Sequence, residues 1–309
     1  MDKRISSLID NIEKVIIGKR EVITQAVTAL LAEGHVLIED VPGVGKTQLA
    51  AALSRSVDGA FSRVQLTPDV MPSDITGFSM INRQTGELEY KEGAAFCNFL
   101  LADEINRASP KAQSSLLEIM EERQVSIDGK THALPRPFMV LATQNPVETY
   151  GTYHLPEAQM DRFAMKISMG YPDKSEEMRI LERNEFENPV SSLTPVLTTD
   201  DIAQIQDEVK TVRAADNVKN YIVAISDSTR NSENIKLGVS PRGSIALYKA
   251  AKALAFINER DYITPDDVRE CAVAVLAHRI MLSPKGRAVL ETPEAAIEKA
   301  VAETIVPTE

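Results

Sequence analysis

Apolar residues in the first 190 positions follow two alternating rhythms. Apolar positions three and four apart predict helices over residues 3–14, 19–33 and 48–57. Short continuous apolar runs predict buried strands over 35–39, 98–102 and 138–143. A further helix is predicted over 109–122, with Pro110 at its first position, where a missing N–H costs nothing. Strands alternating with helices predict a parallel sheet flanked by helices. Two hairpins interrupt the alternation. Residues 124–127 and 130–134 flank Asp128-Gly129, a pair suited to the positive φ angles of a type I′ turn. Residues 78–82 and 87–91 flank the longer turn Arg83-Gln84-Thr85-Gly86. A single hairpin would read as surface decoration, but two on one core suggest binding elements.

The pattern changes near residues 188–195, whose prolines and serines predict a linker. Beyond it everything reads helical. Ser240-Pro241-Arg242 is a serine cap with proline at the first helical position, opening a helix to about Arg260. Thr264-Pro265-Asp266-Asp267 opens another in the same way. The expected division is therefore an α/β core over residues 1–190 and a small all-helical domain over 191–309. The chain length of 309 residues agrees with about two domains.

Composition narrows the function classes. Hydrophobic residues are 43% and charged residues 26%, an ordinary globular balance. The net charge of −11 argues against non-specific binding of nucleic acid or anionic membrane, both of which require excess Lys and Arg. The mixed-charge start Met1-Asp2-Lys3-Arg4 has no apolar signal segment, and no run approaches the ~18 apolar residues of a membrane span. The two cysteines, Cys97 and Cys271, lie far apart and form no Cys-x-x-Cys pair. A reducing cytoplasm and plain apolar packing are expected for both. His35, His132, His154 and His278 form no His-Glu-x-x-His and read as surface or packed histidines. Residues 238–243 lack the spacing of a nucleophile elbow.

The strongest local chemistry is Asp40-Val41-Pro42-Gly43-Val44-Gly45-Lys46-Thr47, which follows a strand and opens a helix. Backbone N–H groups can wrap a phosphate where side chains are absent, at Gly43 and Gly45, and the helix N-terminus adds a favourable dipole. Lys46 is placed to reach the β- and γ-phosphates of ATP, and the Thr47 hydroxyl to ligate Mg²⁺. Pro42, Val44 and Gln48 complete the expected nucleotide contacts. The general pattern asks for Gly at position 40, where this chain has Asp, and Gly-Lys-Thr alone is a common tripeptide. Two further strand ends raise its weight. Phe99-Leu100-Leu101-Ala102 runs into Asp103, a carboxylate for Mg²⁺, and Glu104, a base for attacking water. The 57 residues separating Lys46 from Asp103 leave room for a helix, a strand and a hairpin. Met139-Val140-Leu141-Ala142-Thr143-Gln144 runs into Asn145, a neutral amide able to orient a water, although Asn145-Pro146 also reads as a turn.

Taken together, Glu39 to Thr47, Leu101-Ala102-Asp103-Glu104-Ile105-Asn106-Arg107-Ala108, Ala142 to Pro146 and Leu155-Pro156-Glu157-Ala158-Gln159-Met160-Asp161-Arg162-Phe163 resemble the MoxR family of AAA+ ATPases. The resemblance spans nearly the whole chain in the family's order, and Asp40 is similar to the MoxR version of the loop. It implies a P-loop AAA+ core with a helical lid, and a homo-oligomeric, usually hexameric ring with ATP at subunit interfaces. It further implies that Arg162 is an arginine finger reaching a neighbour's γ-phosphate, where an always-charged planar fork suits the task. The residues alone favour an ion pair of Arg162 with Asp161. Arg107 is the reserve interface arginine. Arg242 resembles the sensor-2 arginine, acting within its own subunit or across the interface. Ile16-Ile17-Gly18 resembles the segment that lies against adenine, with helix–turn packing as the alternative. The two hairpins resemble the helix-2 and pre-sensor-1 inserts, which face the pore or substrate in related machines.

The function the resemblance implies is ATP-driven, chaperone-like remodelling or maturation of a protein client. The family's partners carry von Willebrand factor A domains. This chain has no Asp-x-Ser-x-Ser motif, so such a partner is expected to be a separate polypeptide. The alternatives are a nucleic-acid motor, disfavoured by charge, a chelatase-type subunit, and a nucleotide-switched scaffold, disfavoured by Glu104.

Overall fold

The computed structural model describes residues 1–146, 152–153, 155–184 and 189–307. His154 and the start of the expected linker, residue 188, lie outside the described residues. Two helices, α1 (Lys3–Glu13) and α2 (Arg20–Leu31), precede strand β1 (Val36–Glu39) and helix α3 (Lys46–Ser56). Then come β2 (Phe61–Gln65), α4 (Pro72–Thr76), the hairpin β3–β4 (Gly77–Ile81, Leu88–Glu92), β5 (Phe99–Asp103) and α5 (Pro110–Glu122). The second hairpin β6–β7 (Gln124–Ile127, Lys130–Ala133) leads to β8 (Met139–Gln144), α6 (Glu157–Met160), β9 (Met165–Ile167) and α7 (Lys174–Asn184). The remainder is α8 (Thr199–Thr211), α9 (Asp216–Arg230), β10 (Ile235–Leu237), α10 (Pro241–Ile257), α11 (Pro265–Leu276), β11 (Met281–Leu282), α12 (Pro284–Leu290) and α13 (Pro293–Glu303).

The five-stranded sheet is parallel, in the order β2-β5-β8-β1-β9. Its central strands read as unbroken apolar runs because both faces are covered. Alternate residues take opposite sides. Val36, Ile38, Phe99, Leu101, Met139 and Leu141 join one cluster with α1, α2, α3 and the later helices. Leu37, Leu100, Ala102, Val140 and Ala142 join a second cluster with Leu116, Leu117 and Met120 of α5.

The local signals work as read. The Ser109 hydroxyl accepts the Ala112 N–H at 3.3 Å and starts α5. Asp128 and Gly129 have φ of 52° and 74°, the two left-handed residues of the tight turn. Ser240 caps α10 through the Gly243 N–H at 3.1 Å, and Thr264 forms a capping box with Asp267. Helix α10 stops at Ile257, short of Arg260. Glu259 turns left-handed there, and the Arg260 N–H folds back on the Ala255 carbonyl at 2.9 Å. The helical second half also holds a short antiparallel ribbon, β10 with β11, too brief to leave an alternating pattern. Both cysteines are buried, and burial pushes the Cys97 thiol up to about 12.

His35 ties three elements together. Its Nδ1 accepts the Val140 N–H of β8 at 2.9 Å, so the proton sits on Nε2, which donates to the Met120 carbonyl of α5 at 2.8 Å. Complete burial lowers its pKa to about 4. The unfolded chain therefore takes up this proton first as pH falls below ~6.5, and the folded chain only near 4. Stability is expected to drop across that window by on the order of 3 kcal/mol from this residue. Urea titrations at pH 7.5 and 4.5 check this, and in His35→Gln the same pH step should shrink.

Candidate functional site

The C-terminal ends of β1, β8 and β5 lie side by side, with Glu39 opposite Gln144 and Ala142 opposite Ala102. This carboxyl edge is where open parallel sheets collect polar chemistry. The chain leaves β1 at Asp40 and enters α3 at Lys46. Gly43 and Gly45 have φ of 88° and 95°, conformations that side chains rarely adopt. A Cβ on Gly43 would meet nothing within 4 Å, and one on Gly45 only Met169 Cε at 3.6 Å and Ile16 Cδ1 at 4.0 Å. The loop thus borders open space, with the N-terminus of α3 facing into the turn, an arrangement that fits a phosphate chain.

Asp40 replaces the usual first glycine and fastens the loop. Its Oδ1 accepts the Val41 N–H at 2.8 Å. Its Oδ2 accepts the Ser168 hydroxyl at 2.9 Å and the Met169 and Gly170 N–H groups at 2.7 Å. Burial alone would raise its pKa, but the bonds from Gly170, Ser168, Val41 and Met169 outweigh this and hold it below the ordinary carboxylate range. Lys46 Nζ donates to the Asp40 carbonyl at 2.7 Å, so loop start and loop end are tied together.

Asp103 ends β5, and Glu104 follows it directly. Thr143, buried on β8, donates its hydroxyl to Asp103 Oδ1 at 2.6 Å and accepts the Glu104 N–H at 2.9 Å. Arg63 of β2 holds Asp103 Oδ2 at 2.6 Å. Glu104 is left-handed at φ 59°, and its carboxylate pairs with Arg107 at 3.0 Å. Arg107 is therefore engaged within its own chain. Asn145 is buried, and its carbonyl receives Asn106 Nδ2 at 3.4 Å. The Thr47 hydroxyl and the Asp103 carboxylate are hard oxygen donors, the type Mg²⁺ prefers.

A cavity of about 200 Å³ beside the loop is lined by Ile16, Ile17, Val44, Gln48, Met169 and Ile180, among others including Gly43 and Gly45. The structure thus brings the Ile16–Ile17 segment to the glycine loop, in an apolar slot suited to a flat base. Gly18 stands just outside it, at φ 72°, where a Cβ would overlap the Glu176 carboxylate of α7. Pro42, Lys46 and Thr47 complete the loop beyond the cavity.

The two arginines assemble elsewhere. Arg162 and Arg242 both pair with Glu121, in the last turn of α5, rather than with the loop residues. Arg162 does not pair with Asp161, whose carboxylate is taken by Arg279 and Ser240 at 2.8 Å each. Two site groups escape the sequence reading. Thr143 carries a signal, as a lone hydroxyl in an otherwise apolar strand, whereas Arg63 lies on an edge strand that was not placed.

The sequence model of the ATPase family associated with various cellular activities (AAA) matches residues 35–165, and that of the AAA lid domain matches residues 227–300. The chain is 51% identical to the uncharacterized protein YeaC of Bacillus subtilis, covering 92% of this chain and 88% of that protein. It is 40% identical to Chaperone MoxR1 of Mycobacterium tuberculosis, covering 96% and 80%. A crystal structure of a proposed ATPase from Cytophaga hutchinsonii superposes with a TM-score of 0.91 at 38% identity, covering 99% and 95%. The chain belongs to the MoxR family of AAA+ ATPases.

Removing the charge of Asp40 should loosen the loop's anchor. Asp40→Asn keeps the size but turns an amide nitrogen or a weaker acceptor toward four donors. A loss of about 2–3 kcal/mol in urea unfolding at pH 7 is expected.

Proposed function

We propose that this chain hydrolyses ATP at interfaces between copies of itself in a ring, where the two half-sites on each subunit pair with those of its neighbours. The carrying observation is the convergence of the glycine loop, Asp103–Glu104 and Asn145 on one sheet edge, while Arg162 and Arg242 gather on α5. We read residues 1–190 as the nucleotide-binding core and 191–309 as the lid. Bound ATP would supply the reactive phosphoanhydride, and Mg²⁺ would neutralise its charge. Lys46 and the loop N–H groups would hold phosphate oxygens, and Thr47 and Asp103 would hold the metal. Glu104 takes a proton from water once its carboxylate leaves Arg107, and Asn145 orients that water. Ile17 and Gly18, with Pro42, Val44 and Gln48, bound the nucleotide's place.

Arg162 and Arg242 sharing Glu121 supports the reading that both act across the interface. A hexamer, a cytoplasmic setting, a protein client and a separate von Willebrand factor A domain partner complete the proposal. The resemblance to a chaperone supports the client. So do Phe78, Met80, Ile81 and Leu88, apolar and exposed on the first hairpin. No helix among the described residues is long and apolar enough to cross a membrane.

Specific ATPase activity is expected to rise with protein concentration, alongside a ring-sized mass by light scattering with ATP. Glu104→Gln should bind a fluorescent ATP analogue as wild type does and hydrolyse ATP poorly. Arg162→Ala should also retain binding, with hydrolysis reduced by on the order of 10³-fold. Wild-type hydrolysis in Arg162→Ala removes it as the finger, and concentration-independent activity from a monomer removes the ring.

A further inference from the structure

Glu121 stands where two like charges meet. Its carboxylate receives Arg162 Nη2 at 3.3 Å on one oxygen and Arg242 Nη2 on the other. Arg162 Nη1 also donates to the Leu117 carbonyl, one turn earlier in α5, at 2.6 Å. The arginines come from different parts of the chain, one just after α6 and one in the first turn of α10. Their backbones are held together. Ser240, the cap of α10, donates to Asp161 at 2.8 Å, and the buried Arg279 binds the Asp161 carboxylate and the Phe163 carbonyl.

The two arginine side chains remain partly exposed, at 30% and 55%. Each has five N–H donors, and the bonds named use only some of them. Two guanidinium ions side by side repel, and a shared carboxylate offsets that repulsion while leaving the group of three with a net positive charge. Glu118 and Glu122 line the same ~310 Å³ cavity as Glu121 and Arg162. Without Glu121, either arginine would have another carboxylate to turn toward.

We propose that Glu121 is a positioning residue of the ATPase reaction: its shared carboxylate sets Arg162 and Arg242 side by side for the nucleotide site of an adjacent copy. The inference rests on the reading of both arginines as groups that complete a neighbour's site. Glu121 touches no nucleotide and acts through the two guanidinium groups.

The test compares Glu121→Gln and Glu121→Asp with wild type, Arg162→Ala and Glu104→Gln, after thermal melts show which variants fold. Glu121→Gln is expected to lower kcat by about 10–100-fold with little change in KM, and Glu121→Asp to recover part of the loss. Mixing Glu121→Gln with Glu104→Gln subunits should give more hydrolysis than the sum of the two alone. One variant keeps its base and the other keeps its well-placed arginines, and a merely structural defect would not be complemented in this way. Wild-type kcat in Glu121→Gln beside an inactive Arg162→Ala overturns the inference and leaves the proposed function standing. So does mixing without gain. Should Glu121→Gln not fold, Glu121→Asp decides by the same kcat and mixing readouts. Wild-type activity in Arg162→Ala removes Arg162 as the finger, and with it the reading this inference rests on, a result separate from either.

Discussion

The site depends on one buried carboxylate. A glycine-rich loop with positive φ at two positions has little conformational preference of its own and is costly to order. Asp40 meets that cost at the loop's first residue. It draws donors from Val41 beside it and from the 168–170 segment leaving β9, two strand ends adjacent in the sheet but 128–130 residues apart in sequence. The loop's origin is therefore fixed relative to β1 and β9 together, and Lys46 closes its far end onto the same residue. Glycine at position 40 would keep only the carbonyl that Lys46 meets and could supply none of the four carboxylate bonds. Here the departure from the general phosphate-loop pattern is a fastening rather than a loss.

A second constraint orders the acidic end of the site. In a parallel sheet whose strands are apolar on both faces, the first polar side chains past the core share one edge. Thr143 is the exception, a hydroxyl still inside the core, and it reaches sideways to Asp103 at the end of β5 and to the Glu104 N–H just past it. Because one hydroxyl both donates to the first acid and accepts from the backbone of the second, the two acids cannot shift independently of β8. The strand that leads into Asn145 and the strand that ends at Asp103 are thus fastened to one another.

Long-range pairings of this kind explain what the sequence could and could not reveal. The central strands, the caps at Ser109, Ser240 and Thr264, and the Asp128-Gly129 turn rest on local chemistry, and residues one to four apart were enough to read them. Edge strand β2, Phe61–Gln65, alternates exposed and half-buried residues and includes Arg63, so no apolar run marks it. Strand β9 is three residues long and gains its place by pairing with β1 and packing into the core. The glycine loop and the Asp103-Glu104 pair were legible as motifs. The pairings that hold them were not: Thr143 stands out only as a lone hydroxyl, and Ser168, Arg63 and Thr143 carry no special spacing from the residues they bind. Glu121 is the extreme case: in sequence it is one of several glutamates near the end of an amphipathic helix, and only the fold brings two arginines to it.

The coupling between helical half and sheet has the same character. Arg279 is 5% exposed, and burial pulls its pKa down even as Asp161 opposes that shift. A buried guanidinium is costly unless every bond is in place, so breaking this contact would strand a charge rather than merely loosen a surface. Asp161, Arg279 and Ser240 therefore tie the start of α10 to the segment that carries Arg162. A shift of the helical half would carry Arg242 and the Arg162 segment together, or else sever a network with no cheap intermediate. The two arginines on Glu121 are for this reason better described as one jointly mounted surface than as two side chains in different domains.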